Sequence, residues 1–456
     1  MCVVSELMVK VLFIAYYFPP IGGAGVQRSL KFVQYLPEAG FLPVVVTGPG
    51  SADDRWTPQD STLLTGIPSN VSVHQAQGPV PGSVSKLRRR LKTWLALPTD
   101  FSKWWVRSAM EVASRVAGDA QLILATMSPF ESAEVASAMS RQYHIPWVAD
   151  LRDPWALDEM VVYPSVLHRR AELARMERLL STAALIVMNT PEAAAAARAE
   201  LPRLRQSNII SITNGFDMQD FSGLITARTD GKFRIVHSGY LHTAMGLQLR
   251  KGLLYRLLGG SHASVDILTR SHAVLLDATE RWCAQRPDVR KDLEIVFAGK
   301  TSAEDQGLAQ RSSLSPQIRF TGYVSHAESL QLIRTADLLF LPMHNLPPGR
   351  RSRIVPGKAY EYMASGRPIL AAVPDGDARD FLSQTGTSFI CRPDDALGMI
   401  QILDRVYAAW RSGRSIITPD LTFIAQFERR KLALALAAGF NLLLAGAVEP
   451  RSIVPR

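Results

Sequence analysis

The stretch Ile354-Val-Pro-Gly-Lys-Ala-Tyr-Glu-Tyr-Met-Ala-Ser-Gly-Arg-Pro-Ile-Leu-Ala-Ala-Val-Pro374 decides the fold. Pro356 is tolerated in a first helical turn and Gly366 accepts the left-handed conformation that ends a helix, so a helix is expected between them. Pro368 to Pro374 is then an apolar run of strand length with no polar face, as in a strand buried on both sides. A helix feeding such a strand is one αβ step of a parallel sheet. Lys358 and Glu361 lie three apart and are neighbours on the helix surface. Ligands of open α/β sheets bind at strand and helix ends, which makes the pair candidate ligand contacts; a surface ion pair explains the same spacing.

Working outward, strands and helices alternate along the chain, the pattern of doubly wound α/β architecture. Strands are expected at 9–16, 43–47, 122–126, 147–151, 185–188 and 209–213, with helices at 25–36 and 131–143. A second series runs through 233–237, 293–298, 318–321, 338–341 and 369–373. The polar segment Ser222 to Lys232 is the expected linker. The chain's 456 residues exceed what one hydrophobic core usually supports, so two domains are expected. Hydrophobic residues make up 47% and charged residues 20%, which excludes a disordered chain. Cys2, Cys283 and Cys391 are too few and too scattered for a disulfide framework or a zinc cluster, so no metal is implied and a reducing cytosol fits. Glu6 and Lys10 interrupt any apolar core of a signal peptide. The apolar run from Leu432 to Val448 is short of the roughly 20 residues of a spanning helix and contains Asn441, so a transmembrane anchor is not expected.

Net charge is +10 and unevenly spread. Lys86, Arg88, Arg89, Arg90, Lys92, Lys103 and Arg107 are interleaved with Leu87, Leu91, Trp94, Leu95, Trp104 and Trp105. The apolar set at 87, 91, 94 and 95 has helical spacing with basic residues on the other side, the signature of an interfacial helix for an anionic membrane surface. An ordinary helix that packs its Leu/Trp stripe inward reads the same way. No nucleic-acid module accompanies the charge, so nucleic acid is not an expected partner.

Gly22-Gly-Ala-Gly25 lies between the first strand and its helix, where backbone N–H groups and the positive helix end can face an anion; a tight turn alone is the other reading. Arg28, one turn on, offers a further charge. Asp150-Leu-Arg-Asp153 follows the apolar Trp147-Val-Ala strand, at the carboxyl end of the first sheet.

Ile354 to Pro374 resembles the nucleotide-binding helix of retaining glycosyltransferases of the GT-B fold (family 4-like, group 1). Lys10 to Arg28, Pro146 to Trp155, Ile212-Thr-Asn-Gly-Phe-Asp217 and Ile318-Arg-Phe-Thr-Gly-Tyr-Val-Ser325 match in the same order, so the likeness runs from about residue 9 to about 440. It implies two Rossmann-like domains facing across a cleft: 1–225 for the acceptor, 226–428 for the nucleotide sugar, and 429–456 as a terminal helix crossing back to the first domain, with a tail. It implies transfer of a sugar from a nucleoside diphosphate sugar to a glycan or lipid-linked acceptor with retention, without a metal or other cofactor, in the cytoplasm or peripherally at the inner membrane face. By the same likeness Glu361 holds the donor ribose, and the nucleotide-sugar site takes in Gly22, Gly23, Gly25, Gly239, Arg270, Gly322, Tyr323, Arg353 and Lys358.

Three departures bear on mechanism. Many relatives carry a His in the place of Arg152; an arginine does not act as a base at neutral pH, so Arg152 is expected to bind phosphate or an acidic acceptor while Asp150 and Asp153 orient the acceptor hydroxyl. A loop-stabilising ion-pair cluster is the alternative for all three. Relatives often have a second Glu eight positions before the ribose Glu, where this chain has Arg353; with Arg350 and Arg351 it makes either donor-phosphate ligands or a solvated loop. Relatives also often follow the glycine of the second domain's first strand with Arg, whereas Gly239 precedes Tyr240. Phosphate charge then falls to Lys358, Arg270 or Lys251. A sugar-nucleotide epimerase of the same fold and a catalytically inactive membrane-associated partner protein are the rival functions.

Overall fold

The computed structural model describes residues 8–50, 59–78, 80, 81, 85, 92–95, 97–225, 228–251, 257–260 and 265–448. Backbone contacts divide the chain into two compact units, one of Met1–Asp158, Leu167–Asn214 and Arg429–Arg456, the other of Glu159–Val166 and Gly215–Glu428.

In the first unit the strands are β1 (Val9–Ile14), β2 (Phe41–Thr47), β3 (Ser72–Gln75), β4 (Leu122–Met127), β5 (Trp147–Leu151), β6 (Leu185–Met188) and β7 (Ile209–Ser211). They form one parallel sheet in the order β3-β2-β1-β4-β5-β6-β7, so the topology reverses between β1 and β4. Its helices include α1 (Ala24–Tyr35), α2 (Asp100–Val116), α3 (Ser132–Tyr143), α4 (Val166–Leu180) and α5 (Pro191–Glu200). Both faces of the sheet are buried, which is why the strands read as continuous apolar runs. Leu12, Ile14, Ile123 and Ala149 pack with Trp105 and Met139 on one face, while Val11, Phe13, Leu124 and Val148 pack on the other.

The second unit repeats the plan with β8 (Phe233–Ser238), β9 (Leu293–Ala298), β10 (Ile318–Gly322), β11 (Leu338–Pro342), β12 (Ile369–Ala372) and β13 (Ser388–Cys391). The order β10-β9-β8-β11-β12-β13 places the reversal between β8 and β11. Its helices include α6 (Thr243–Lys251), α7 (Ala273–Gln285), α8 (Ala303–Arg311), α9 (His326–Arg334), α10 (Gly357–Ala364), α11 (Asp377–Gln384) and α12 (Ala396–Arg411). Pro356 caps α10 and Gly366 follows it at φ +64°, the start and stop chemistry read from the sequence.

Backbone contacts draw the boundary at Asn214/Gly215 rather than at 225/226, and they assign Glu159–Val166 to the second unit rather than the first. The reason is local. Phe216 is fully buried and its N–H bonds the Phe427 carbonyl 3.1 Å away, so the chain has joined the second core before the polar stretch begins. Arg228, inside the expected linker, donates to the Thr335 carbonyl at 2.8 Å and pairs with Asp337.

The chain then returns. The last described helix, α13 (Arg429–Val448), belongs to the first unit, where Ala433, Leu436, Ala437 and Phe440 bury one stripe against Phe41 and its neighbours. The Phe440 ring lies 5.2 Å from that of Phe41. Full burial of a Leu or Phe stabilises by about 1.5–3 kcal/mol each, which accounts for the apolarity of the run. Among the described residues no helix is long and apolar enough to cross a membrane.

Of the basic Trp-bearing segment, residues 86–91 lie outside the described residues. Beyond them the stripe divides: Trp105 is fully buried and its indole N–H reaches Ser132 Oγ at 3.3 Å, whereas Trp94, Leu95 and Leu97 are exposed.

Candidate active site

The first unit brings the glycine turn against the Asp150–Asp153 segment. Gly23 stands at φ +105° as the cap residue of α1, a conformation that disfavours any Cβ. At Gly25 a Cβ would lie 1.7 Å from Arg152 Nη1, so glycine there is what lets the guanidinium cross the first turn of α1. Arg152 also lies over the Tyr17 ring, 5.1 Å from its centroid, and 3.7 Å from the exposed Asp153 carboxylate. Gly22 is buried beneath this turn. A guanidinium at a helix N-terminus with uncapped N–H groups is suited to an anion.

Asp150 and Arg28 take a different place from the one expected. Asp150 is fully buried, paired with Thr126 in the β4–β5 register, and accepts from Thr126 Oγ1 at 2.8 Å and from Arg28 at 2.7 and 3.1 Å. Arg28 spends its remaining N–H groups on the Ile212 and Thr213 carbonyls at 2.9 and 2.7 Å. The pair pins α1 to the strand ends from inside. Neither side chain is placed to orient an acceptor hydroxyl or to offer charge to a phosphate, which corrects the reading of Asp150 as an acceptor-orienting acid and of Arg28 as a further cation.

In the second unit, three adjacent strands end in glycines at positive φ: Gly239 at +106°, Gly299 at +128° and Gly322 at +71°. Gly239 N–H donates to the Ala298 carbonyl at 2.7 Å and Gly299 N–H to the Gly322 carbonyl at 2.8 Å, which stitches the three turns together. A Cβ on Gly239 would meet Lys358 Nζ at 2.8 Å. The turn is therefore glycine because a lysine from α10 lies across it.

That lysine is the electrostatic centre. Burial and the Arg270 cation push Lys358 down to about 7 against the opposing pull of Glu361, one turn further along α10. Its Nζ sits 3.0 Å from His237 Nε2. His237 is itself buried; its Nδ1 lies 3.0 Å from the Phe340 carbonyl, and burial followed by Lys358 holds it well below the usual histidine range. A carbonyl only accepts, so Nδ1 carries the proton and Nε2 presents a lone pair to Lys358. His242 is held down to about 2 by burial, Arg270 and Lys358 in that order, so it too is neutral.

Beside this cluster, Glu159 reaches the second unit. Its Oε1 accepts from Ser352 Oγ at 2.6 Å, from His344 Nε2 at 2.9 Å and from the Arg353 N–H at 3.2 Å. Burial alone raises a carboxylate, but the bonds from His344 and Ser352 bring Glu159 down to about 2. The neighbouring Met160 sulfur contacts the Arg270 guanidinium. Arg353 is thereby positioned through its backbone, and Tyr323, after Gly322, is half exposed.

The structure thus unites Gly239, Arg270, Lys358 and Glu361 around one turn, links Gly322 to them through Gly299, and hangs Arg353 from Glu159. The Lys251 side chain lies outside the described residues. His237, His242, His344, Glu159 and Ser352 were not read from the sequence. Single histidines at strand ends carry no periodic signal, and Glu159 sits in sequence among first-unit residues. Among the described residues no group of three or more His, Cys, Asp or Glu is placed to hold a metal ion.

Two parallel-sheet Rossmann-like units, the second with acid and cations at its switch point, define the GT-B class of α/β protein. Residues 266–409, within the second unit, match the family described as "Glycosyl transferases group 1". Glycogen synthase of Mycobacterium tuberculosis is 28% identical over 171 residues, 35% of this chain and 38% of the relative. The fold matches sucrose-phosphate synthase from Thermosynechococcus elongatus at TM-score 0.66 and 15% identity, covering 96% of this chain and 100% of that one. It also matches Anabaena HepE in complex with UDP and glucose, at TM-score 0.57 and 18% identity over 95% of this chain and 100% of that one.

Proposed function

We propose that the protein transfers a sugar from a nucleoside diphosphate sugar to a glycan or lipid-linked acceptor with retention of anomeric configuration. The observation that carries this is the Gly239 turn, where Lys358 lies across a backbone that only glycine permits, with Arg270 beside it and Glu361 one turn away. Such an arrangement suits a diphosphate on the cations and a ribose hydroxyl on the carboxylate. In the reaction the bond from the sugar's anomeric carbon to the β-phosphate oxygen breaks, that carbon bonds the acceptor oxygen, and the acceptor's proton leaves with the departing phosphate. Fixed cations that take up charge on the leaving group serve this step; a strong base is not needed. On the first unit, Arg152 at the N-terminus of α1 is the group offered to an anionic part of donor or acceptor, with Asp153 at its side.

The test is thermal shift with UDP-, GDP-, ADP- and dTDP-sugars, UDP first because the HepE neighbour was solved with it. A ligand present at a hundred times its Kd should stabilise by about 2.7 kcal/mol. No stabilisation by any of them would count against the reading. Incubation with the responding sugar nucleotide and a membrane extract, followed by mass analysis, then separates transfer from epimerisation, which releases a new sugar nucleotide without an acceptor, and from an inactive partner protein, which turns over nothing.

We also assign the protein a cytoplasmic, peripheral place at the inner membrane face, supported by the basic run at 86–92 and the exposed Trp94, Leu95 and Leu97 beside it. Replacing Arg88, Arg89 and Arg90 together by Gln should weaken sedimentation with anionic vesicles, most at low salt because the attraction is screened. Unchanged sedimentation would make the segment a structural one.

A further inference from the structure

We propose that His237 is a positioning residue for donor binding: its Nε2 lone pair holds the Lys358 ammonium at the Gly239 turn without neutralising it. The proposal deepens the nucleotide-sugar reading of this site and rests on it.

Three observations carry it. The tautomer is set from behind, because Nδ1 must donate to the Phe340 carbonyl at 3.0 Å on the neighbouring strand β11, leaving Nε2 as an acceptor aimed at Lys358. His237 is enclosed, with the Phe297 and Phe340 rings 6.4 and 6.1 Å away, so the acceptor cannot swing off. Among the described residues His237 is the one hydrogen-bond partner of Lys358 Nζ, and no carboxylate lies within ion-pair distance of it. An ammonium has three donors. One is used for aim, and two remain for a ligand, with no counter-charge already paired to them.

The choice of a neutral partner has a consequence for binding. A carboxylate in that place would hold the lysine equally well but would cancel the charge a diphosphate needs and would repel the incoming phosphate oxygens. The groups that face Lys358 are His237 and His242 from the β8 end, Arg270 from the segment before α7, and Glu361 from its own helix. Of these the two histidines are neutral, Arg270 is a second cation for the same ligand, and Glu361 alone opposes. An arriving diphosphate restores protonation to a lysine that burial and Arg270 have brought to about 7, so affinity should fall as pH rises through that value.

The experiment measures the affinity of UDP, GDP, ADP and dTDP by calorimetry from about pH 6 to about pH 9, the range that spans this titration, in wild type, His237→Phe and His237→Gln. His237→Phe fills the space and removes the acceptor; affinity near neutral pH should drop about tenfold and the pH profile should move to lower pH, as expected for one lost bond to a charged group. His237→Gln keeps an acceptor near the Nε2 position and should restore most of both. If the Phe variant does not fold, His237→Asn, which keeps a donor toward Phe340 and drops the outer acceptor, carries the same expectation. A role confined to core packing would lower the melting temperature of the Phe variant and leave the pH profile alone; wild-type affinity and profile in a folded variant would overturn the proposal.

A readout without nucleotide separates this from failure of the donor reading. Competitive acetylation of amines across the same pH range, followed on the Lys358 peptide, should show Lys358 titrating lower in His237→Phe than in wild type. An identical titration overturns the proposal. A shifted titration in a protein that binds none of the four nucleotides would leave the His237–Lys358 coupling standing and overturn the donor site.

Discussion

Each unit sets a cation against a strand end, Arg28 buried in the first and Lys358 half-buried in the second, and the two are treated in opposite ways. In the first, Arg28 is locked by the Asp150 carboxylate and two backbone carbonyls, with the carboxylate also bonded by Thr126. In the second, Lys358 is held by a neutral imidazole. A charge that is fully paired contributes to the fold and has nothing left for a ligand; a charge held by a neutral group makes the apo state less favourable and is satisfied only when an anion arrives. The difference separates a cation whose donors are spent on the fold from one that keeps donors unspent, a distinction that residue type does not make.

The largest effect should come from breaking the first arrangement. Asp150→Asn leaves Arg28 buried without its counter-charge and should cost the first unit about 3–5 kcal/mol, read by calorimetry or denaturant unfolding. If the variant instead keeps its stability and loses only turnover, Asp150 belongs to the chemistry and the comparison fails.

Next is Glu159, which anchors an early chain segment in the second unit. With a folded-state value of about 2 against an ordinary 4.5, the carboxylate contributes stability above pH 4.5 that is lost as pH falls toward 2. The difference of about 2.5 in pKa corresponds to about 3 kcal/mol, taken as an upper figure. Glu159→Gln should therefore be less stable than wild type at neutral pH, with the gap closing between pH 4.5 and 2 as wild type is protonated. A gap that stays constant over that window would show that the carboxylate charge is not what His344 and Ser352 grip.

The smallest effect on stability should come from Glu361→Gln, which probes the binding side. A bond from a sugar hydroxyl to a carboxylate is worth about 1.5–3 kcal/mol, so donor affinity should fall about ten- to a hundredfold while stability moves by less than about 0.5 kcal/mol. A large drop in melting temperature with unchanged nucleotide affinity would move Glu361 to the architectural side, as a partner of Lys358.

Much of the fold was legible because burial on both faces of a parallel sheet leaves a local mark. Every strand expected from an apolar run is present, within a few residues at its ends. β3 and β13 were not read, since Ser72–Gln75 interleaves its one apolar residue with polar ones and Ser388–Cys391 offers an apolar run of only three residues. The linker was misplaced because polarity marks exposure, whereas the boundary between units depends on which core takes Phe216.

The candidate site divides in the same way. Lys358 and Glu361 could be found because an acid and a base one turn apart on a capped helix are a local statement that the chain carries in its own order, whereas Gly239 entered through the likeness to GT-B glycosyltransferases. His237 as the holder of Lys358, the enclosure of Asp150 by Arg28, and the reach of Glu159 to His344 and Ser352 join residues separated by 121, 122, 185 and 193 positions. Composition and periodicity determined that this is a two-unit parallel α/β chain. Whether a given charge is spent or kept for a ligand was decided only by tertiary structure, because the partner that neutralises it, or declines to, arrives from elsewhere in the chain.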